Sequence, residues 1–169
     1  LSILCGSVQA IALSQRDFRE IASLVENRKM SDEKKVTAAI LKLGKSDHNE
    51  AVPLLLEVLK SAPRASGNNE AERLTKTLGG RLSLAALESL GQLGPKAAEA
   101  VPFLLSENFF LIKGGYTSKN KPLRMATINT LLKIGKPAVP QVVEMLSMPN
   151  GRNHFRWQWW GKEILQQMA

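Results

Sequence analysis

Residues 134–140 read Ile-Gly-Lys-Pro-Ala-Val-Pro, and this stretch separates two amphipathic runs of sequence. The run before it has apolar residues at helical spacing and stops at Gly135, and glycine readily adopts the left-handed conformation that closes a helix. The run after it begins at Pro140, which suits the first turn of a helix because its missing N–H would have no intrahelical partner there. The stretch therefore predicts a helix, a short turn and a second helix.

The same arrangement occurs twice more upstream. The first copy passes through Gly44 to an Ala-Val-Pro triplet ending at Pro53, and the second passes through Gly94 to a triplet ending at Pro102. Successive prolines are 49 and 38 residues apart, around the roughly 40–47 residues of helical-hairpin repeats. A single hairpin leaves an apolar face uncovered, whereas a stack of three buries a continuous core. The sequence thus predicts an all-α protein, a right-handed α-solenoid of stacked antiparallel helical hairpins (an α-α superhelix).

The turn glycine and the Val-Pro pair, repeated three times, resemble the HEAT repeat, especially the short bacterial form that also occurs in phycobilisome lyases. The resemblance covers roughly residues 32–147. It implies a non-catalytic scaffold or adaptor that binds another protein, because most arrays of this kind act in that way, although a fold alone does not fix a role. A lyase-type helper enzyme is a weaker alternative that rests on the resemblance alone.

The predicted organisation is one solenoid domain over residues 15–169, with units at about 32–60, 81–112 and 122–147 and a capping helix at 153–168. The second helices, predicted at 53–60, 102–110 and 140–147, would line the concave partner-binding surface. The links between paired helices are expected to be loops at the hairpin tips. Gly79-Gly80 and Gly114-Gly115 are expected to be loop hinges.

Residues 1–14 are mostly apolar and resemble the tail of a secretory signal peptide, with Ala10 and Ala12 as small residues at cleavage positions. The alternative is an apolar first helix that packs on the end of the solenoid. The first interpretation predicts a periplasmic or secreted protein, and the second leaves it in the cytoplasm. No apolar run approaches the ~20 residues that span a bilayer, so no membrane span is predicted.

Composition limits the classes of function. Hydrophobic residues make up 44% of the 169 residues and aromatic residues 5%, which favours packed helices over sheets. Cys5 is the single cysteine, so neither an internal disulfide nor a cysteine-based zinc site can form. The sequence contains no nucleophile elbow, phosphate loop, paired-histidine motif or dinucleotide fingerprint. We therefore predict no enzyme activity, no cofactor and no metal.

The net charge of +8 is concentrated in the last third, where residues 110–169 contain nine Lys/Arg and two Asp/Glu. A basic end attracts an acidic protein or nucleic acid, and salt screens that attraction. The plainer interpretation is that the lysines keep the protein soluble. A protein partner, acidic in character, is the leading expectation.

Two groups of residues are candidates for partner binding. In the last helix, Trp157, Trp160, Gly161, Ile164 and Met168 form a stripe that should pack on the third hairpin. The opposite side and the preceding basic loop supply the candidates, namely Arg152, Phe155, Arg156 and Trp159 of the helix and Lys119, Lys121 and Arg124 of the loop. Trp and Arg are common interface anchors. The alternatives are that Phe155 and Trp159 pack on a following segment and that the loop is merely solvated.

The rival function is a nucleic-acid-binding solenoid. It would use these basic residues together with Lys113 and the aromatic Trp159, since basic side chains beside aromatic rings bind phosphates and stack bases. It requires that the basic residues lie on one continuous face.

Overall fold

The computed structural model describes residues 33–61, 78–106, 121–147 and 161–167, together with Arg16, Arg19, Glu20, Ser23 and Phe109. Regular structure within these residues is helical, with no strand among them, which confirms the all-α prediction. None of the helices in the described ranges is long and apolar enough to cross a membrane. Residues 1–14 and the predicted hinge at Gly114-Gly115 lie outside the description.

In chain order the described helices fall into three groups, which we call units. The first unit contains α1 (Glu33–Leu43) and α2 (Ala51–Ser61). The second contains α3 (Leu78–Leu93), a 3-10 helix (Gly94–Ala100) and the short α4 (Val101–Leu104). The third contains α5 (Lys121–Ile134), a 3-10 turn (Lys136–Ala138) and α6 (Val139–Ser147), and residues 161–167 are again helical.

Apolar spacing decides which side of each helix is buried. In α1 the buried residues are Val36, Ala39, Ile40 and Leu43, which recur at the three- and four-residue steps of one helix face. The α2 helix buries a wider face and α6 buries Val142 and Met145. The exposed positions of both helices are polar, apart from their prolines and Val143. Burying these apolar faces, rather than helix propensity alone, stabilises helices this short.

Helix α3 lies at the centre of the described core. It packs on α1 and α2 of the first unit and on α5 of the third. Leu87 and Leu90 on this helix are 0% exposed, as are Ile40 of α1 and Leu131 of α5. Successive units therefore contact one another mainly through their first helices, α1, α3 and α5. Truncating a buried leucine of α3 to alanine is expected to cost about 2–5 kcal/mol.

Two predictions about loops are wrong. The link of the second unit is a 3-10 helix whose Ala97 and Ala100 are fully buried, because their methyl groups complete the core between α3 and α4. Gly79 and Gly80 are not a hinge, since both are buried within α3, which begins three residues before the predicted start at Arg81. Tertiary packing outweighs the low helix propensity of glycine there.

The second helices also begin earlier than predicted. They start at Ala51, Val101 and Val139, so the proline of each triplet lies inside the first turn rather than at its start. Proline remains compatible with these positions because the first N–H groups of a helix have no intrahelical acceptor.

The glycines that follow the first helices differ from one another. Gly94 and Gly135 have φ of 57° and 72°, which confirms the left-handed conformation predicted for them. The Gly135 amide donates to the Leu131 carbonyl at 2.9 Å and so closes α5. Gly44 does not have a positive φ, so the prediction is wrong for the first unit. Gly44 instead lies against the neighbouring helix, where a Cβ atom would be 2.6 Å from the Ser89 Cα atom.

Candidate functional site

The first helices are joined by a hydrogen bond that recurs between units. The Ser89 hydroxyl on α3 donates to the Ile40 carbonyl on α1 at 2.8 Å. The Thr130 Oγ1 atom on α5 lies 2.8 Å from the Leu87 carbonyl oxygen on α3. Both hydroxyl-bearing residues are buried. At both contacts a short polar side chain thus lies within hydrogen-bond distance of the backbone of the preceding first helix.

Two ion pairs flank the contact between α1 and α3. At the N-terminal end, Arg81 donates two hydrogen bonds to Glu33, one of them from Nη2 to Oε2 at 2.7 Å. Hydrogen bonding from Arg81 lowers the pKa of the Glu33 carboxyl, against an opposing effect of desolvation. The same hydrogen bond raises the pKa of Arg81. At the other end, exposed Lys96 binds Asp47.

The second helices repeat an outward-facing set of positions, which we call the second-helix face. The proline of each Ala-Val-Pro triplet is exposed in all three units. The residue three positions later is apolar and not buried, and the residue after that is polar. The face comprises Pro53, Leu56 and Glu57 in α2, Pro102, Leu105 and Ser106 in and just after α4, and Pro140, Val143 and Glu144 in α6.

Val143 is the most exposed apolar residue of this face, at 45%. Leu56 and Leu105 are half-buried at the equivalent positions. The charges around these side chains are mainly acidic, since Glu57 and Glu144 are exposed and Glu57 is paired with Lys60 at 3.0 Å. The face therefore combines a repeated apolar position with a weakly acidic border.

A second concave feature, which we call the first-helix groove, lies where the C-terminal ends of α1, α3 and α5 meet. Its larger cavity has a volume of about 460 Å³ and is lined by Gly44, Lys45, Asp47, Gly91, Lys96 and Lys133 among others. A smaller cavity of about 230 Å³ continues between α3 and α5. Gly91 and Lys133 line both cavities, so the two cavities adjoin and we describe them together.

Sequence reasoning missed the first-helix groove, although a signal was present. A lysine follows each unit's turn glycine within two residues, at Lys45, Lys96 and Lys136. Because each glycine marks the end of a first helix, lysines at this offset collect at one end of a stack of such helices. The charge count predicts a basic surface from the net excess in the last third of the chain, and this excess does not reveal the groove.

Most of the predicted partner-binding residues lie outside the part of the chain that the structure describes. Lys119, Arg152, Phe155, Arg156 and Trp159 lie outside the described residues. Lys121 is the first residue of α5, with a side chain that is not described, and Arg124 is half-buried on the first turn of the same helix. Whether these residues share one face stays a prediction.

The last helix agrees with the predicted stripe where it is described. Gly161 is buried, and a Cβ atom on it would be 2.5 Å from the Leu146 Cδ2 atom of α6. Ile164, one turn later, is 1% exposed. These two residues therefore pack inward, and Gly161 lies directly against the third unit.

The residues that the structure describes contain no group of three or more His, Cys, Asp or Glu side chains that could hold a metal ion. Comparison of the chain with protein-family models, with curated proteins and with solved structures gave no significant match in any of the three.

Proposed function

We propose that the three units form a right-handed α-solenoid of HEAT-like hairpins, and that it is a non-catalytic scaffold whose second-helix face binds another protein. The recurring hydroxyl-to-carbonyl hydrogen bond supports the stacking, because it joins equivalent positions of successive first helices. A stack held in one register presents equivalent side chains of successive units in a row.

The exposure of Val143, at the position of Leu56 and Leu105, is the observation that carries the proposed binding role. An apolar side chain that is 45% exposed within a helix with a well-buried opposite face costs solubility without adding to the core. The equivalent Leu56 and Leu105 pack in part against the core and would add smaller apolar contacts for a partner. The exposed prolines keep the surface stiff and low in conformational entropy. The partner expected here is a protein with an apolar patch.

The experiment compares two exposed apolar residues on different helices. The full chain serves as bait for a pull-down from source-cell lysate, with and without nuclease, beside Val143→Lys and Met125→Lys. Met125 is the matched control because it is 37% exposed and lies on the first helix α5. The two variants add the same charge at similarly exposed positions.

A discrete protein that survives nuclease, is retained by Met125→Lys and is lost with Val143→Lys supports the proposal. Equal loss in both variants contradicts it, because charge rather than the second-helix face would then control binding. Retention that disappears with nuclease and falls steeply with salt would instead favour the nucleic-acid alternative. Direct binding of the recovered protein to the purified chain then confirms the pair.

A further inference from the structure

The first-helix groove gathers positive charge from all three units. Lys45 follows α1, Lys96 lies in the link after α3, and Lys133 is in the last turn of α5. Asp47 is the one carboxylate lining the larger cavity, and it is bound by Lys96. Neither Lys45 nor Lys133 forms an ion pair with any described residue. The larger cavity therefore has an excess of positive charge, with two lysines that no carboxylate of the described residues pairs with.

The floor of the groove is formed at buried Gly91, where α3 lies against α5. Gly91 lies where the two cavities join, and the nearest atom to a Cβ placed on it would be the Lys133 Cδ atom at 3.0 Å. The Lys133 stem thus lies beside a position without a side chain. Side-chain amides of Gln92 and Asn129 line the two cavities on either side and supply donors and acceptors for peptide groups.

From this arrangement we propose that the first-helix groove binds an acidic peptide segment of a partner protein. The peptide lies along the groove, with one carboxylate bound by Lys45 and Lys133 in the larger cavity. A second carboxylate competes with Asp47 for Lys96. The site lies on the first helices, so it does not depend on binding at the second-helix face.

The lining residues favour a peptide over a nucleic acid. No aromatic side chain lines either cavity within the described residues, so stacking of bases has no platform there. Asp47 in the larger cavity and Glu88 in the smaller one repel a continuous phosphate backbone. Spaced carboxylates can avoid these two residues, whereas a phosphate at every nucleotide cannot.

The test measures fluorescence anisotropy of a labelled, end-blocked peptide of alternating Glu and Gly with the full chain. The comparison ligands are the Gln-for-Glu peptide and a short single-stranded DNA of equal charge. Lys133→Gln and Lys45→Gln should each weaken binding of the acidic peptide about threefold to fivefold at low salt. Asp47→Asn should strengthen binding by a similar factor because it removes the internal competitor for Lys96.

Two control variants distinguish binding at the groove from general electrostatic attraction of the acidic peptide to the positively charged chain. Lys60→Gln removes the same charge beside Glu57 on α2. Lys119→Gln/Lys121→Gln removes two charges at and just before the start of α5. Binding that responds to the groove variants and to neither control, with no binding of the Gln peptide, supports the proposal. The thermal transition of each variant, followed by circular dichroism, checks that it is folded.

Three results overturn the proposal. They are absence of binding, equal loss in Lys60→Gln or Lys119→Gln/Lys121→Gln, and preference for DNA with the same dependence on Lys133. None of them bears on the second-helix face, because Val143→Lys leaves the groove unchanged and is expected to bind the peptide as the unmodified chain does. The experiments therefore distinguish an absence of peptide binding at the groove from an absence of protein binding at the second-helix face.

Discussion

Gly44→Ala is expected to destabilise the protein because Gly44 is a contact point between helices. The added Cβ atom would be 2.6 Å from the Ser89 Cα atom and 2.8 Å from its Cβ atom. Carbon atoms normally approach to about 3.5–4.0 Å, so α1 and α3 would have to separate by roughly 1 Å. The nearest obstacle is backbone, and it cannot move aside as a flexible side chain can.

The magnitude follows from three contributions. Overpacking costs about 1–3 kcal/mol. Separating the helices also weakens the Ser89–Ile40 hydrogen bond, which contributes about 1 kcal/mol. Replacing glycine reduces the freedom of the unfolded chain, and this offsets about 0.4–1 kcal/mol. The net loss in the free energy of unfolding is about 2 kcal/mol.

Gly91→Ala is the matched control because Gly91 occupies the equivalent place on α3. A Cβ atom there would be 3.6 Å from the Thr130 Cα atom, an ordinary contact, and 3.0 Å from the movable Lys133 Cδ atom. Alanine is favoured over glycine in a helix interior by about 1 kcal/mol. We expect Gly91→Ala to change the free energy of unfolding by less than about 1 kcal/mol.

Urea unfolding followed by far-ultraviolet circular dichroism measures both variants. With a slope of about 2 kcal/mol per molar urea, Gly44→Ala should lower the midpoint by about 1 M at unchanged slope. Gly44→Asn adds a decisive comparison. Asparagine tolerates the left-handed conformation, so it should be milder than alanine if Gly44 closed α1 in that way. Gly44→Asn should destabilise the protein more than Gly44→Ala if Gly44 is required for the close approach of α1 and α3. Equal midpoints for Gly44→Ala and Gly91→Ala would refute the reasoning.

Three further perturbations test other contacts. Thr130→Val should cost about 0.5–1.5 kcal/mol more than Thr127→Val in the same unfolding assay, because both lose a bond to their own helix but only Thr130 also reaches α3. Glu33→Gln should lower the urea midpoint at pH 7 and match the unmodified chain at pH 2. Because Arg81 lowers the folded-state pKa of Glu33, its stabilisation is present above the unfolded pKa and is lost as pH falls through the folded one. Gly161→Ala should cost about 1–3 kcal/mol, and Leu146→Ala in the same chain should recover part of that loss in a double-mutant cycle.

Local chemistry explains what could be predicted of the fold. The helices around Gly94 and Gly135 follow from apolar spacing and from the one residue type that readily closes a helix with a positive φ. Gly44 has the same sequence context but a different role. The sequence does not distinguish a glycine that is required for a positive φ from one that is required for close approach of two helices. Gly79 and Gly80 show the converse, since burial in the core overrides a composition that is typical of loops.

The candidate sites were less accessible to sequence reasoning because they depend on several units at once. The outward position of Val143 can be derived from helical spacing and the triplet register. The first-helix groove depends instead on how far α1, α3 and α5 extend relative to one another, and a list of residues does not contain those offsets. Positive charge in the last third was visible, whereas the meeting of Lys45 with Lys133 required the packing.

The recurring hydrogen bond gives a register that accounts for the larger cavity beside the end of α1. If the two bonds are equivalent, Ile40 corresponds to Leu87 and Ser89 corresponds to Thr130. In this register Gly94 and Gly135 coincide, and α3 and α5 end at the same position. In the same register α1 ends at Leu43, three positions before the ends of α3 and α5. Asp47 of the first unit aligns with Gly94 and Gly135, the glycines that close the other two first helices. The larger cavity is the space left by that missing turn, and Asp47 reaches Lys96 across it. Irregularity between units, rather than their repetition, thus creates the charged cavity.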